Sequence, residues 1–152
     1  MNYIIDTNIL ILLSKSRMFS SFFRETYLQD TTNHISYTHI SLGELSSFTR
    51  RNKWGKSKLT LLNEILKGFH LILANSLPII DSYGIIDAYS QGKLSEKPLP
   101  NGMSARNMGK NDLWIAAAAL DSKAILLTTD NDFDHLHDQF ITVEIIDIAK
   151  YY

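Results

Sequence analysis

Asp112-Leu113-Trp114-Ile115-Ala116-Ala117-Ala118-Ala119-Leu120-Asp121-Ser122, followed almost at once by Ala124-Ile125-Leu126-Leu127-Thr128-Thr129-Asp130, holds the plan of the fold. The first run is built on alanine, the residue that loses least on entering a helix, and predicts a helix over 112–122. The second is short, apolar and closed by polar residues, which predicts a buried strand over 124–129. The same alternation recurs outward. Tyr3-Ile4-Ile5, ending at Asp6-Thr7-Asn8, His34-Ile35-Ser36-Tyr37, Phe69 to Leu73 and Val143 to Ile146 read as further short strands.

Between the strands the apolar spacing is helical. Ile9, Leu12, Leu13, Phe19, Phe22 and Phe23 predict one interrupted helix or two short ones as far as Tyr27. Ile40 to Arg51, Leu59 to Leu66 beyond the Trp54-Gly55 break, and Ile79 to Gln91 behind Pro78 predict three more. Lys93 to Lys110, with Pro98, Pro100, Gly102 and Gly109, reads as a loop long enough to suggest a function. Short apolar strands alternating with helices predict a single three-layer α/β/α sandwich around a mainly parallel sheet.

Composition narrows the class. The 152 residues suit one domain, 1–152, and 45% hydrophobic residues against 20% charged ones exclude a disordered tail. Lys and Arg number 15 against 16 Asp and Glu, which excludes a generally basic DNA-coating protein. Without cysteine there are no disulfides, no thiolate catalysis and no Cys-based zinc site. Met1 to Leu13 lacks a basic leader and is interrupted by Asp6 and Asn8, and no run reaches the ~18 apolar residues of a membrane helix. The expectation is a cytoplasmic protein with no membrane partner.

Open parallel sheets bind ligands beyond the carboxyl ends of their strands. Asp6 follows the first strand and Asp130 the 124–129 strand; Asp112 opens the helix feeding that strand, and Glu44 lies early in the helix after His34–Tyr37. All four are therefore expected on one rim. Two unit charges ~4 Å apart repel by about 4 kcal/mol at an effective dielectric of ~20, so such a group must take up protons or a cation. Hard oxygen donors point to Mg²⁺ or Mn²⁺, the equipment of phosphodiester hydrolysis. Each acid also has a purely architectural reading. Ser41-Leu42-Gly43-Glu44 matches a capping box, Asp112 suits a helix dipole, Asp132 is a candidate N-cap, and Asp6 could cap a helix beginning at once.

Taken together, Asp6-Thr7-Asn8, Ser41-x-x-Glu44, Gly109-Lys110-Asn111-Asp112-Leu113-Trp114-Ile115-Ala116-Ala117 and Thr128-Thr129-Asp130-Asn131-Asp132-Phe133 resemble, in order, the PIN-domain ribonucleases. More narrowly they resemble VapC-type toxins of toxin–antitoxin pairs, from Tyr3 to about Ile146. The resemblance implies an acidic pocket binding Mg²⁺ or Mn²⁺ and cutting RNA. It places Asp6, Glu44, Asp112 and Asp130 on the family's four acids. Asp6, Asp112 and Asp130 would hold metal, directly or through water, while Glu44 would orient or deprotonate the attacking water. Asn8 and Thr128 fall on polar supports, and Asp132 either helps the metal site or caps a helix. An antitoxin protein, a homodimer and RNA as substrate are implied in the same way. The 93–109 loop is longer and richer in proline than in the most compact toxins.

The substrate side is marked by charge. No acid occurs between Leu45 and Asn63, where Arg50, Arg51, Lys53, Lys56 and Lys58 surround Trp54. This reads either as a phosphate-binding surface with an indole for base stacking or as a solvated hairpin with Trp54 packed in its turn. Arg106 and Lys110 add positive charge near Asp112. The histidines form no metal-binding pattern, and His135 and His137 suit surface or helix-end roles. Two other functions compete with this one. An inactive PIN-like RNA- or protein-binding module fits less well with four acids present, and a phospho-acceptor domain would need an Asp after a middle strand, which 35–38 and 70–75 do not supply.

Overall fold

The computed structural model describes residues 1–151. Strand β1, Asn2–Ile5, lies at the centre of a sheet in which β2 (His34–Thr38) and β3 (His70–Ile72) extend to one side. On the other side lie β4 (Ile125–Thr128) and β5 (Val143–Ile145). The order is β3-β2-β1-β4-β5 and all four pairings are parallel. Tyr3 stands opposite Ile35 on one neighbour and Ile125 on the other.

Successive side chains of a strand point to opposite faces, and here both faces are dry. Ile4 and Leu126 enter a core with Ile86, Tyr89, Leu113, Ala116, Phe133 and Val143. Tyr3, Ile5, Ile35, Tyr37 and Leu127 enter a second core with Ile9, Phe19, Phe23, Leu45 and Leu62. Helices α1 (Thr7–Lys15), α2 (Arg17–Phe23), α3 (His39–Arg51) and α4 (Lys56–Lys67) supply that second layer. Helices α5 (Leu77–Ser90) and α6 (Lys110–Asp121) cover the opposite face, giving the predicted α/β/α arrangement.

Local chemistry sets the boundaries. The 9–27 pattern resolves into two helices parted at Ser16, whose hydroxyl caps α2 by accepting from Phe19 N, and a π-helical turn, Arg24–Leu28, completes the segment. Helix α6 starts two residues before the predicted Asp112, which puts that acid within the first turn. Helix α5 starts at Leu77 behind a Ser76 cap, with Pro78 in its first turn. Two capping expectations are corrected. Helix α3 begins at His39, and Thr38 is its N-cap, accepting from Ser41 N at 3.4 Å. Ser41 is thereby inside the helix, so Ser41 and Glu44 form no capping box. In the 3₁₀ turn Asn131–Leu136, Asp130 rather than Asp132 is the cap, accepting from Asp132 N at 2.9 Å.

The chain from Gln91 to Gly109 carries no helix or strand, as expected. It is nonetheless tied down. Arg106 N donates to Ser90 O at 2.7 Å and Lys97 Nζ to Gln139 O at 2.9 Å, with the Lys97 ammonium 4.9 Å from the Phe140 ring centre.

Ala116 to Ala119 are all fully buried, because α6 runs between the sheet and α5. Enlarging Ala117 to leucine overpacks that contact and should cost roughly 1–3 kcal/mol. Thermal unfolding is expected to move down by about 2–4 °C per kcal/mol for a chain of this size; an unchanged midpoint would contradict this packing.

Candidate functional site

Because every strand is parallel, β1, β2 and β4 deliver their carboxyl ends to one rim, and the order reverses there. The chain winds from β1 outward through β2 to β3, then returns to the other side of β1 as β4. Such a switch point opens a crevice between adjacent loops. Asp6, Thr7, Asn8, Ile11, Glu44, Phe48, Arg51, Asp112 and Asp130 line a cleft of about 180 Å³ there. The four predicted acids thus meet in one place, each from a different segment.

Asp6 is the innermost, 5% exposed. It caps α1 through Thr7 N and accepts from Thr128 Oγ1 at 2.9 Å, a bond that ties the end of β1 to the end of β4. Thr128 Oγ1 accepts in turn from Asp130 N at 3.0 Å, so one buried hydroxyl positions two acids. Burial raises the Asp6 pKa to about 6, with Glu44 and Asp130 adding to the rise, against the lowering effect of the bonds from Thr128 and Thr7. The residue is both a cap and an acid of the cleft.

Asp112 sits in the first turn of α6, where the helix dipole would favour its anion by roughly 0.3–1 kcal/mol. Burial and the negative charges of Asp6, Glu44, Asp130 and Asp132 outweigh that, and its pKa rises to about 7. Gly109 leaves it room: a Cβ there would stand 2.9 Å from Asp112 Oδ2 and displace the carboxylate. Glu44 is held by two donors, Thr7 Oγ1 and Asn111 Nδ2, the latter at 2.9 Å.

Thr7, Asn111 and Gly109 have site roles that spacing did not single out, although Thr7 and Asn111 adjoin predicted acids and Gly109 lies three residues before Asp112. Asn8 is exposed at the cleft edge, Thr128 is buried beneath it, and Asp132 lies outside its lining while its charge reaches Asp112. Among the predicted cations, Arg51 lines the cleft. Arg50 Nη1 folds back on Ser46 O at 3.2 Å, Lys53 occupies a tight turn with φ 49°, and Lys110 is exposed at the first position of α6. Trp54 is half-buried, edge-on to Phe48 with ring centres 5.7 Å apart and under the Lys58 ammonium at 5.6 Å. Arg106 does not reach the cleft: it pairs with Asp134 at 2.8 Å. His135 is buried, with Nε2 2.7 Å from Ser90 Oγ, and His137 Nδ1 accepts from Val143 N at 3.0 Å.

The donor set facing the cleft is entirely oxygen, the chemistry that suits a hard divalent cation. Two of its acids resist ionisation while they face one another, a cost that a bound cation removes. Among the described residues, no group of three or more His, Asp or Glu side chains stands arranged to hold a metal ion as it is.

The family model of the PIN domain matches residues 3–138. The chain belongs to the PIN-domain family. Its fold is similar to that of VapBC2 from Rickettsia felis bound to a DNA fragment from their promoter. That match has a TM-score of 0.74 at 23% identity, over 97% of this chain and 100% of the other. VapBC-1 from nontypeable Haemophilus influenzae gives 0.69 at 22% identity, over 95% and 98%. VapBC-5 from Mycobacterium tuberculosis, a member of the VapBC family of toxin–antitoxin systems, gives 0.58 at 20% identity, over 95% and 97%. No curated protein matches the sequence. No helix among the described residues of this PIN-domain chain is long and apolar enough to cross a membrane.

Both raised acids carry a consequence for stability. Their folded pKa values, about 6 and about 7, lie above the ordinary 3.8, so the folded state holds protons that the unfolded chain releases. Their contribution is greatest in acid, below pH ~4, and is lost as pH rises towards about 7. In metal-free buffer, Asp112→Asn should therefore raise the melting temperature at pH 7.5 by a few degrees, and the gain should shrink at pH 4.5. A variant that melts lower than the parent at pH 7.5 would contradict the repulsion.

Proposed function

We propose that this PIN-domain protein is a VapC-type toxin, a divalent-metal-dependent endoribonuclease that hydrolyses RNA phosphodiester bonds. One observation carries the reading: acids from four separate segments line a single cleft, where burial raises the pKa of Asp6 to about 6 and of Asp112 to about 7. Asp6, Asp112 and Asp130 would hold Mg²⁺ or Mn²⁺, directly or through water. The bound ion would supply charge neutralisation at the scissile phosphate and a water that ionises near neutral pH.

The chain's own residues account for the rest. Thr128 fixes Asp6 and Asp130 relative to each other, and Asn8 adds a polar group at the cleft edge. Glu44, held by Thr7 and Asn111, is oriented to direct or deprotonate the attacking water. Asp132 adds negative charge just outside the lining, which strengthens the demand for a cation. Arg51 lines the cleft beside the acids and would hold a phosphate of the backbone; Lys110, Arg50 and Lys53 would add positive charge for the polyanion.

The toxin reading brings a cytoplasmic setting, a homodimer and an antitoxin that inserts a basic side chain among the carboxylates. The structures named above are VapBC assemblies, which supports a partner of this kind. A second reading is a PIN-like module that binds RNA or protein without cutting. The absence of a ready-made three-ligand group among the described residues favours it. Metal-dependent cleavage separates the two.

Purified protein with total RNA should cut in Mg²⁺ or Mn²⁺ and stop on chelation. Asp6→Asn and Asp112→Asn should each lower the rate by roughly two orders of magnitude or more. Cleavage that survives both substitutions defeats the proposal, whereas RNA binding without cleavage selects the inactive module. Arg51→Ala should weaken RNA binding alike for all sequences and reduce the slope of log affinity against log salt by about 1; an unchanged slope would remove Arg51 from the phosphate contacts.

A further inference from the structure

Beside the acidic cleft the chain builds a second, larger concavity. Pro100, Asn101, Met103, Ser104, Arg106 and Asp134, with His135 at its wall, enclose about 560 Å³ open to solvent. That lies within the range of about 300–1,000 Å³ usual for small-molecule sites. It is walled by the 91–109 segment, which is long for a connection without regular structure yet is pinned by Arg106 N, Lys97 Nζ and the Lys97–Phe140 contact. The opposite wall is rigid as well. His135 is stacked at 7° on Tyr89 and held by Ser90 Oγ, and its buried Nδ1 makes no well-formed hydrogen bond, the Asp132 backbone being the group that bears on it.

The position of this cavity matters as much as its lining. Asp130 lines the acidic cleft and Asp134 lines the second cavity, and both belong to the turn that Asp130 caps. Four residues of 3₁₀ helix rise by roughly 8 Å. That separation leaves the Arg106–Asp134 pair within reach of a nucleotide next to one whose phosphate is held at the acids.

That pair presents a definite pattern. Arg106 Nη1 donates to Asp134 Oδ1 at 2.8 Å, and both side chains are partly exposed, so the remaining guanidinium N–H groups and carboxylate lone pairs stand side by side. A donor next to an acceptor matches guanine, whose O6 acceptor adjoins the N1–H and 2-amino donors. Uracil has the same order, O4 beside N3–H, but offers the carboxylate only one donor. Adenine (N6–H beside N1) and cytosine (N4–H beside N3), with the ring turned over, also meet the fork with one donor and one acceptor, so guanine alone adds a second donor to the carboxylate. Asn101 and Ser104 supply further polar contacts, and Pro100 and Met103 an apolar face for the ring.

We propose that the Arg106–Asp134 cavity is a nucleobase subsite that receives a guanine of single-stranded RNA next to the scissile phosphate. It rests on the nuclease reading for its place in the reaction, but its binding chemistry is independent of cleavage. The subsite would set which nucleotide flanks the cut.

The test uses the metal-free full chain, isotopically labelled, titrated separately with GMP, UMP, AMP, CMP and inorganic phosphate and followed by amide chemical shifts. Shifts should concentrate at 101–106 and 134–135, with GMP bound about tenfold more tightly than AMP, CMP or UMP. Arg106→Gln and Asp134→Asn, both surface changes, should each erase the preference while the melting temperature stays put. Equal affinity for all four nucleotides, the same shifts with phosphate alone, or no shifts at millimolar GMP would overturn the subsite. Since nothing is cleaved, this outcome is separate from that of the nuclease assay, whose failure would leave the binding result standing.

Discussion

A carboxylic acid buried between two strand ends is the constraint around which the rim of this molecule is organised. Asp6 is almost wholly removed from water, and burial penalises its ionised form. Thr128 and the Thr7 amide offset part of that cost by donating to it, and in doing so they lock β1, α1 and β4 together. The remaining acids then approach a residue that already resists charge. Asp112 is pushed in the same direction by burial and by its neighbours. Burial and mutual repulsion make these groups costly to ionise, and an all-oxygen set of this kind suits a divalent cation.

The parallel sheet makes such a gathering possible. Parallel pairing sends every carboxyl end to the same side, and the reversal of strand order beside β1 leaves a gap between the loops there. Asp6 and Asp130 come directly from strand ends, while Asp112 comes from the first turn of α6 and Glu44 from the second turn of α3, helices that start at that rim. Both faces of the sheet are sealed by helices, so the rim is where polar side chains can collect without disturbing either core. Chain identity to the VapBC structures is low while the fold is shared, which fits an architecture fixed by burial pattern.

The long 91–109 segment extends this design. Its backbone is anchored to the end of α5 through Ser90 and to Gln139, which frees Arg106 to meet Asp134. Charge on this side is therefore arranged as a pair, in contrast to Arg51, which faces the acids themselves. A polyanion following the rim would meet a phosphate-binding cation at one place and a mixed donor–acceptor fork at another. Under the proposed function, affinity and selectivity would fall to different residues.

The sequence by itself determined the layer order, because alternating apolar strands and amphipathic helices have few ways to bury both faces of a sheet. It also marked the four acids, since Asp6 and Asp130 follow strands and Asp112 and Glu44 lie early in helices. It could not say which acid caps which helix: a cap depends on where the backbone leaves extended geometry, and Thr38 and Asp130 took roles that spacing suggested for Ser41 and Asp132. Nor could it give the partners of the basic residues. Arg106 and Arg51 look alike in the chain, yet one is claimed by Asp134 and the other faces the cleft, because long charged side chains take their contacts from whatever the fold brings within reach. The raised pKa values belong to the tertiary structure for the same reason, as burial and repulsion exist only once distant segments meet.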